Sequence, residues 1–312
     1  MNIVRLDENF IPSDTESAVC IGKLDGVHIG HRKLLSKLRG YLKKGYHPTV
    51  LGFEMSPADF FTGSTTGSLT TEDEKAAILE AEGVETYGVY PVNEKTMGLP
   101  PDDFVREVLV RRLHAKAVVA GEDCSYGRGG SGNIMMLERA GELYGFETVC
   151  VVKERDARGE VVSSTRIREL VAAGAMERAA GMLGRPYSFC GTVVRGRGIG
   201  HDIGFATANL LPDEKKFLPP RGVYVSRVRF DDLVFPAVTN VGMNPTVGGE
   251  RISIESHLLE DDEDMYGRFV TVELLSFVRP EKRFDSVNEL SAQIGRDIDT
   301  AREFFELSCK NC

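Results

Sequence analysis

The sequence predicts two domains, an α/β domain with a parallel sheet followed by a small antiparallel β-barrel. Three observations predict this. At 312 residues the chain is longer than one hydrophobic core usually supports. In the first half, short β-rich runs alternate with helical patterns, as in parallel strands joined by crossover helices. Beyond residue 187, runs with a period of two follow one another across turns, as in a barrel. We therefore place the domains at 1–184 and 185–312.

The first half alternates strands and helices in a regular order. The predicted strands are short apolar runs at 18–21, 48–53, 86–92, 117–120 and 147–152. The predicted helices are 31–42, 72–82 and 101–113. Open α/β sheets bind ligands at the carboxyl ends of their strands, where the strand order reverses. The segments after Ile21, Phe53 and Ala120 are therefore the expected places for a binding site.

Two helices, 166–173 and 176–183, lead into the second half, and Gly184-Arg185-Pro186 ends the helical pattern. The predicted barrel strands are 189–194, 223–230, 235–241, 253–259 and 269–277. An amphipathic helix is predicted over 287–306, and its apolar face is expected to pack on the barrel.

Composition narrows the class of protein. The net charge of −9 and the pI near 5.3 argue against a broad binding surface for nucleic acid or an anionic membrane. No apolar run has the length of a membrane span or of a signal peptide. Six scattered cysteines lack the density of a secreted disulfide scaffold. We expect a cytoplasmic protein that binds phosphate locally.

The first candidate site is the run Gly22-Lys23-Leu24-Asp25-Gly26-Val27-His28-Ile29-Gly30-His31, between the first strand and the first helix. Glycines let the backbone approach a triphosphate, and the helix start offers unpaired N–H groups. Because His28 and His31 are three residues apart, both imidazoles can face one phosphate group. The pair predicts a site that stabilises negative charge on a phosphorus atom under attack.

A second phosphate-binding element is predicted in Ser163-Ser164-Thr165-Arg166-Ile167-Arg168. Hydroxyl groups at a helix start, with Arg168 in the first turn, suit the β- and γ-phosphates of a nucleotide. Taken by itself, this run favours the interpretation as an ordinary helix cap.

The barrel half opens with a glycine-rich run that includes Gly196, Gly198 and Gly200. Its spacing matches neither the dinucleotide-binding G-x-G-x-x-G pattern nor the P-loop, so neither fold is supported. The run can cradle phosphates with its backbone N–H groups, or it can be a set of tight turns.

These runs carry a resemblance. The His28-Ile29-Gly30-His31 run after a first strand resembles the nucleotidylyltransferase superfamily, and the fuller run, with Ser163 to Arg168, resembles the prokaryotic bifunctional riboflavin kinase/FAD synthetase family. The segments 69–75 and 121–127 are similar to further elements of that family. Residues 184–302 resemble its kinase domain through Gly184-Arg185-Pro186-Tyr187, Gly204-Phe205-Ala206-Thr207-Ala208-Asn209-Leu210, Pro220-Arg221-Gly222-Val223-Tyr224, Asn240-Val241-Gly242, Glu255-Ser256-His257 and Met265-Tyr266-Gly267.

The resemblance implies a Rossmann-like nucleotidylyltransferase domain and a β-barrel riboflavin kinase domain. Riboflavin would be phosphorylated to FMN, and AMP would then pass from ATP to FMN, giving FAD and pyrophosphate. The substrates would be riboflavin, FMN and ATP, with Mg²⁺ as cofactor. The implied catalytic residues are Glu255 as base, with His28, His31 and Arg168. The implied ATP-binding residues are Gly22, Asp25, Gly26, Ser163, Ser164, Thr165, Gly196, Gly198 and Gly200. The implied flavin-binding residues are Asp123, Tyr126, Tyr266 and Arg296, and Thr207 and Asn209 are the implied Mg²⁺ ligands.

Two departures from the family pattern leave alternatives open. Ser56 stands where the family usually has a histidine that can contact phosphate, and Cys124 replaces an aromatic residue. One alternative is a riboflavin kinase whose N-terminal domain is weakened or inactive. Others are a flavin-binding regulator without catalysis, and a transferase that acts on another phosphorylated alcohol.

Overall fold

The computed structural model describes residues 1–12, 14–63, 66–194, 207–246, 249–259 and 265–310. The chain forms two compact units, Met1–Ser164 and Thr165–Cys312. This division falls earlier in the chain than the boundary predicted at 184/185. The helix Met176–Leu183 packs on strands of the second unit, which places it with that unit.

The first unit contains a six-stranded sheet in which every neighbouring pair is parallel, as predicted. The strand order is β1-β4-β3-β2-β5-β6. Because β3 and β5 lie on opposite sides of β2, the order reverses beside β2. The strands are β1 Asn2–Arg5, β2 Ser17–Ile21, β3 His47–Phe53, β4 Thr86–Tyr90, β5 Ala115–Gly121 and β6 Glu147–Val151.

Helices cover both faces of this sheet. On β2, Ala18 and Cys20 join one apolar cluster while Val19 and Ile21 join the other, which is the alternation of a strand buried on both sides. The helices are α1 Ile29–Arg39, α2 Pro57–Thr62, α3 Glu72–Ala81, α4 Glu94–Met97, α5 Pro101–Phe104 and α6 Ile134–Tyr144; a π-helix, Val105–Arg112, continues α5.

The second unit begins with most of α7 Ser164–Ala172, followed by α8 Met176–Leu183 and an antiparallel sheet of order β7-β12-β9-β10-β11-β8. Val194, just after β7, makes a bridge to Asn209 on β8, so the sheet curls on itself as a barrel does. The strands are β7 Tyr187–Thr192, β8 Thr207–Leu210, β9 Gly222–Phe230, β10 Leu233–Thr246, β11 Gly249–Leu258 and β12 Phe269–Pro280.

The closing helix, α9 Val287–Lys310, packs on the curled sheet, as the sequence predicts. Its buried Ile298 and Ala301 form one apolar cluster with Val223, Val225 and Val238 of β9 and β10. The opposite face of the sheet carries Tyr224 and Val228 of β9 and Ile254 of β11, which are almost fully buried. One face is therefore core, and the other is shared between the helix and polar residues.

Candidate functional site

The loop between β2 and α1 lies at the carboxyl edge of the sheet, where the strand order reverses. Its backbone is left-handed at Leu24, Gly26 and Val27, with φ values of 48°, 79° and 37°. A β-branched residue such as valine is strained in this region. Because the side chains of Leu24 and Val27 are buried, packing holds the strained loop in place.

His28 caps α1. Its Nδ1 accepts a hydrogen bond from the backbone N–H of His31 at 3.3 Å. The two imidazole rings stack with their centroids 3.5 Å apart and their planes 17° apart. Between them in sequence, a Cβ on Gly30 would lie only 3.2 Å from the His28 ring. The structure thus brings the two predicted histidines together, and a glycine makes room for the stack.

His31 is kept uncharged by its surroundings. Its pKa is well below the ordinary value of 6.5, first because burial penalises the charged ring and then because His28 and Lys75 repel a proton there. Its buried Nδ1 has no hydrogen-bond partner within the part of the chain that the structure describes. A neutral imidazole donates one N–H, which suits it to a phosphate oxygen on which charge develops.

Asp25 holds the loop to the segment before α3. Its buried Oδ1 accepts from the N–H groups of Leu69 and Thr70, at 2.9 and 3.4 Å. The N–H of Gly26 donates to the Thr70 hydroxyl at 3.2 Å. The N–H of Gly22 donates to the carbonyl of Leu51, which extends the sheet by one bond. These contacts give Asp25 a role in shaping the loop, and its predicted contact with ATP stays a prediction.

The Ser-Ser-Thr run meets the same loop. Ser164 is the first residue of α7, and its hydroxyl donates to the carbonyl of Asp25 at 2.9 Å. Ser163 precedes the helix and is partly buried, whereas Thr165 is exposed. Arg168 lies one turn into α7 and is partly buried. Ser164, at the start of α7, is therefore tied by this hydrogen bond to the loop that carries the histidines.

Two of the predicted flavin-binding residues, Asp123 and Tyr126, lie in the segment after β5. Asp123 is exposed and forms an ion pair with Lys153 at 2.9 Å. Tyr126 is buried against Phe104, with ring centroids 5.5 Å apart, and burial raises its pKa to about 12. Tyr126 is therefore a core residue as well as a candidate ligand. Burial also raises the pKa of Cys124 to about 11, so that its thiol is neutral.

On the curled sheet, three polar residues lie side by side on neighbouring strands. Glu255 of β11 is directly opposite Asn209 of β8 and Asn240 of β10. Directly opposite residues share a face, with Cβ atoms about 4.5–5.5 Å apart. Ser253 Oγ donates to Glu255 Oε1 at 3.2 Å. Thr207 begins β8 opposite His257, and its side chain lies outside the described residues, as do Gly196, Gly198 and Gly200.

Arg296 belongs to a network on α9. Its Nη2 donates to Gln293 Oε1 at 2.6 Å, and Gln293 Nε2 donates to Asp297 Oδ1 at 2.9 Å. Asp297 in turn accepts three hydrogen bonds from Arg279 of β12, of 2.9, 3.2 and 2.7 Å. Tyr266, the remaining flavin candidate, is 53% exposed.

Sequence reasoning gave no role to Asn240, Arg279 or Lys75. Asn240 and Arg279 reach their partners only through strand register and helix docking, which no local pattern reveals. Lys75 lies in the segment 69–75, and the similarity of that segment to the family is the sequence feature from which a role for Lys75 could have been predicted. It is 3% exposed, which is rare for a lysine.

The described residues contain no group of three or more histidine, cysteine or carboxylate side chains that could hold a metal ion. Mg²⁺ in phosphoryl-transfer sites is usually held by one or two protein oxygens together with substrate phosphates. The amide oxygen of Asn209 beside the Glu255 carboxylate fits that kind of site. Among the described residues, no helix is long and apolar enough to cross a membrane.

Two family models match successive parts of the chain. The FAD synthetase family model matches residues 10–166, and the riboflavin kinase family model matches residues 183–305. A bifunctional riboflavin kinase/FMN adenylyltransferase from Escherichia coli is 36% identical, and the alignment covers 99% of each chain. The enzyme of the same name from Haemophilus influenzae is 34% identical over 92% of this chain and 94% of its own.

Among solved structures, one described as a macrolide-efflux protein from Streptococcus pneumoniae has a TM-score of 0.83 and 28% identity. The match covers 97% of this chain and 99% of that chain. The architecture is thus shared along nearly the whole length of both proteins.

Proposed function

The chain belongs to the bifunctional riboflavin kinase/FMN adenylyltransferase family, and on this premise we propose that it is a transferase that converts riboflavin to FMN and FMN to FAD, with ATP as co-substrate in both steps. The observation that carries this conclusion is the presence of both family matches, in order, on one chain. A riboflavin kinase without the second activity is not favoured, because the FAD synthetase match extends over the whole histidine-bearing loop.

We propose that the curled sheet phosphorylates riboflavin. Glu255 would accept the proton of the ribityl 5′-hydroxyl as its oxygen attacks the γ-phosphorus of ATP. Thr207 and Asn209 would hold Mg²⁺, which when bound neutralises charge on the phosphate oxygens. Gly196, Gly198 and Gly200 would contribute backbone N–H groups to the phosphates.

At the histidine-bearing loop, the FMN phosphate would attack the α-phosphorus of ATP and pyrophosphate would leave, so no enzyme nucleophile is needed. His28, His31 and Arg168 would stabilise the developing charge. Gly22, Asp25 and Gly26 would shape the loop around the triphosphate. Ser163, Ser164 and Thr165 at the start of α7 would bind its phosphates.

Four residues are proposed to contact flavin. Asp123 and Tyr126 follow β5 at the carboxyl edge of the first sheet, and Tyr266 and Arg296 belong to the second unit. The acidic net charge of −9 supports a protein that acts on small molecules rather than on nucleic acid.

One assay with two variants tests the assignment. The wild-type protein, given riboflavin and MgATP, is expected to form FMN and then FAD, measured by chromatographic separation of the flavins. Glu255→Gln, which keeps the side-chain shape, is expected to lower riboflavin phosphorylation by about 10²–10⁴-fold while supplied FMN is still adenylylated. His28→Asn keeps a capping side chain at α1 and is expected to lower adenylylation by about 10²-fold, with phosphorylation intact.

Each outcome against the proposal is distinct. FMN that accumulates without FAD in the wild type would contradict the second activity. A protein that binds flavin but forms neither product would be a regulator rather than an enzyme. If both variants lost both activities equally, the two sites would not be separate.

A further inference from the structure

Asn240 of β10 lies beside the proposed base on the curled sheet, and the reaction as proposed gives it no role. It is directly opposite Glu255 in the antiparallel pair of β10 and β11, so the two side chains share a face. On the other side of Glu255, Asn209 of β8 is directly opposite it as well. Glu255 therefore has an amide on each side, and of these two amides Asn209 is the proposed Mg²⁺ ligand.

The Asn240 amide is placed next to a second carboxylate. Gly242, two residues further along the same face of β10, is buried and leaves space that two polar atoms occupy. A Cβ on Gly242 would lie 2.7 Å from Asn240 Nδ2 and 2.5 Å from Glu281 Oε1. The amide nitrogen is thus directed toward a carboxylate. Because the nitrogen and the oxygen of an amide lie on opposite branches, Oδ1 is turned away from Glu281 and can act as an acceptor.

Beyond Asn240 the same row of residues becomes apolar. Val223 of β9 is directly opposite Asn240, is 5% exposed and belongs to the cluster that holds α9 on the sheet. Asn240 itself is partly buried. It therefore lies between the proposed base, Glu255, and the docked helix that carries the flavin candidate Arg296.

The proposed phosphorylation gives the substrate a direction along this row. In phosphoryl transfer the attacking and leaving oxygens lie roughly in line with the phosphorus. Asn209 would hold Mg²⁺ and the phosphates on the β8 side of Glu255. The carbon chain of the attacking alcohol then extends to the other side, toward β10 and Asn240. A ribityl chain carries secondary hydroxyl groups at its 2′, 3′ and 4′ carbons, and these need polar partners when they leave water.

We propose that Asn240 is a specificity-determining residue for the alcohol substrate, and that its Oδ1 accepts a hydrogen bond from a secondary hydroxyl of the ribityl chain. Glu255 takes the proton of the 5′-hydroxyl in the same complex. A site that hydrogen-bonds a hydroxyl rejects an analogue that lacks it, because the polar group of the site loses its partner. The kinase site therefore selects a polyhydroxylated side chain. This inference rests on the proposed function of the curled sheet.

The test compares riboflavin with its 2′-, 3′- and 4′-deoxy analogues as substrates for phosphorylation. The wild type is expected to have a kcat/KM about tenfold lower for one of the analogues, the factor of one hydrogen bond between neutral groups. Asn240→Ala should lose about tenfold on riboflavin and show no further loss with that analogue, while its KM for ATP stays unchanged. Asn288→Ala removes an exposed amide from α9 and should behave like the wild type. Asn240→Thr, with a side chain suited to a strand, repeats the comparison if Asn240→Ala does not fold.

An Asn240 variant that loses the same factor on riboflavin and on every deoxy analogue would have a structural defect only, and this result would overturn the proposal. So would a variant with an unchanged kcat/KM for riboflavin. Flavin binding, measured by quenching of flavin fluorescence, separates this proposal from the function on which it rests. A wild type that binds riboflavin but forms no FMN contradicts the proposed function. In that case Asn240→Ala and the missing hydroxyl should still weaken binding non-additively, and additive losses would overturn the contact with the ribityl chain.

Discussion

At the scale of single residues, the loop between β2 and α1 has a strained backbone, and it leads into a histidine that resists protonation. Val27 has a left-handed backbone that valine disfavours, and His31 is an imidazole whose surroundings resist a proton. Both cost stability in the folded chain, and both occur within one short loop. Such costs are common where a protein arranges groups for chemistry rather than for stability.

The suppressed charge of His31 has a consequence for stability. The unfolded chain binds a proton at His31 below its ordinary pKa of about 6.5, whereas the folded chain does not bind one until a lower pH. Stability is therefore expected to fall as pH decreases from about 6.5 toward the lowered folded value, by at most about 1.4 kcal/mol per pH unit. His31→Gln should reduce this pH dependence, measured as the free energy of unfolding by urea at several pH values. An unchanged dependence would show that His31 is not its source.

At the scale of elements, the sequence predicted the central strands and the longer helices well, because buried runs such as Ala18 to Ile21 have clear patterns. It missed β1, whose four residues are mostly exposed, and α6, where the apolar Met135 and Leu143 face solvent. The histidine pair was predictable because capping and stacking act within three residues. The side-by-side positions of Glu255, Asn209 and Asn240 could not be predicted, because they depend on the register between strands that are distant in sequence.

The docking of α9 offers a measurable test. Asp297 is almost fully buried and is paired with Arg279, so Asp297→Ala leaves that arginine without its partner. The expected loss is about 3 kcal/mol in the free energy of unfolding. Asp299 on the same helix is 72% exposed in its side chain, and Asp299→Ala makes the same change of net charge. This control is expected to cost about 0.5 kcal/mol or less in urea unfolding. Equal losses in the two variants would exclude a structural role for the buried pair.

At the scale of the whole molecule, the chain carries two units, each with its own sheet. We propose adenylyl transfer at the histidine-bearing loop and phosphorylation on the curled sheet. One site would produce the FMN that the other consumes. Since FMN is a small, water-soluble product, we expect that it can diffuse from one molecule to another between the two steps.

This gives a prediction for mixed proteins. Glu255→Gln and His28→Asn are each expected to form little FAD from riboflavin and MgATP. An equimolar mixture should recover FAD formation, because FMN released by His28→Asn can be adenylylated by Glu255→Gln. Chromatography of the flavins over time measures the recovery, which should grow with protein concentration. A mixture that makes FMN but no FAD would indicate that FMN must be passed on within one molecule.

The register of β11 has one more consequence. Glu255 alternates with Ile254 and Ser256, which are buried on the opposite face of the strand. A slip of one residue against β10 would bury the carboxylate and bring Ile254 to the polar face. Correct pairing of β11 is therefore a condition for the proposed kinase site to form. During refolding, riboflavin phosphorylation should therefore not recover faster than β11 pairs in its native register with β10.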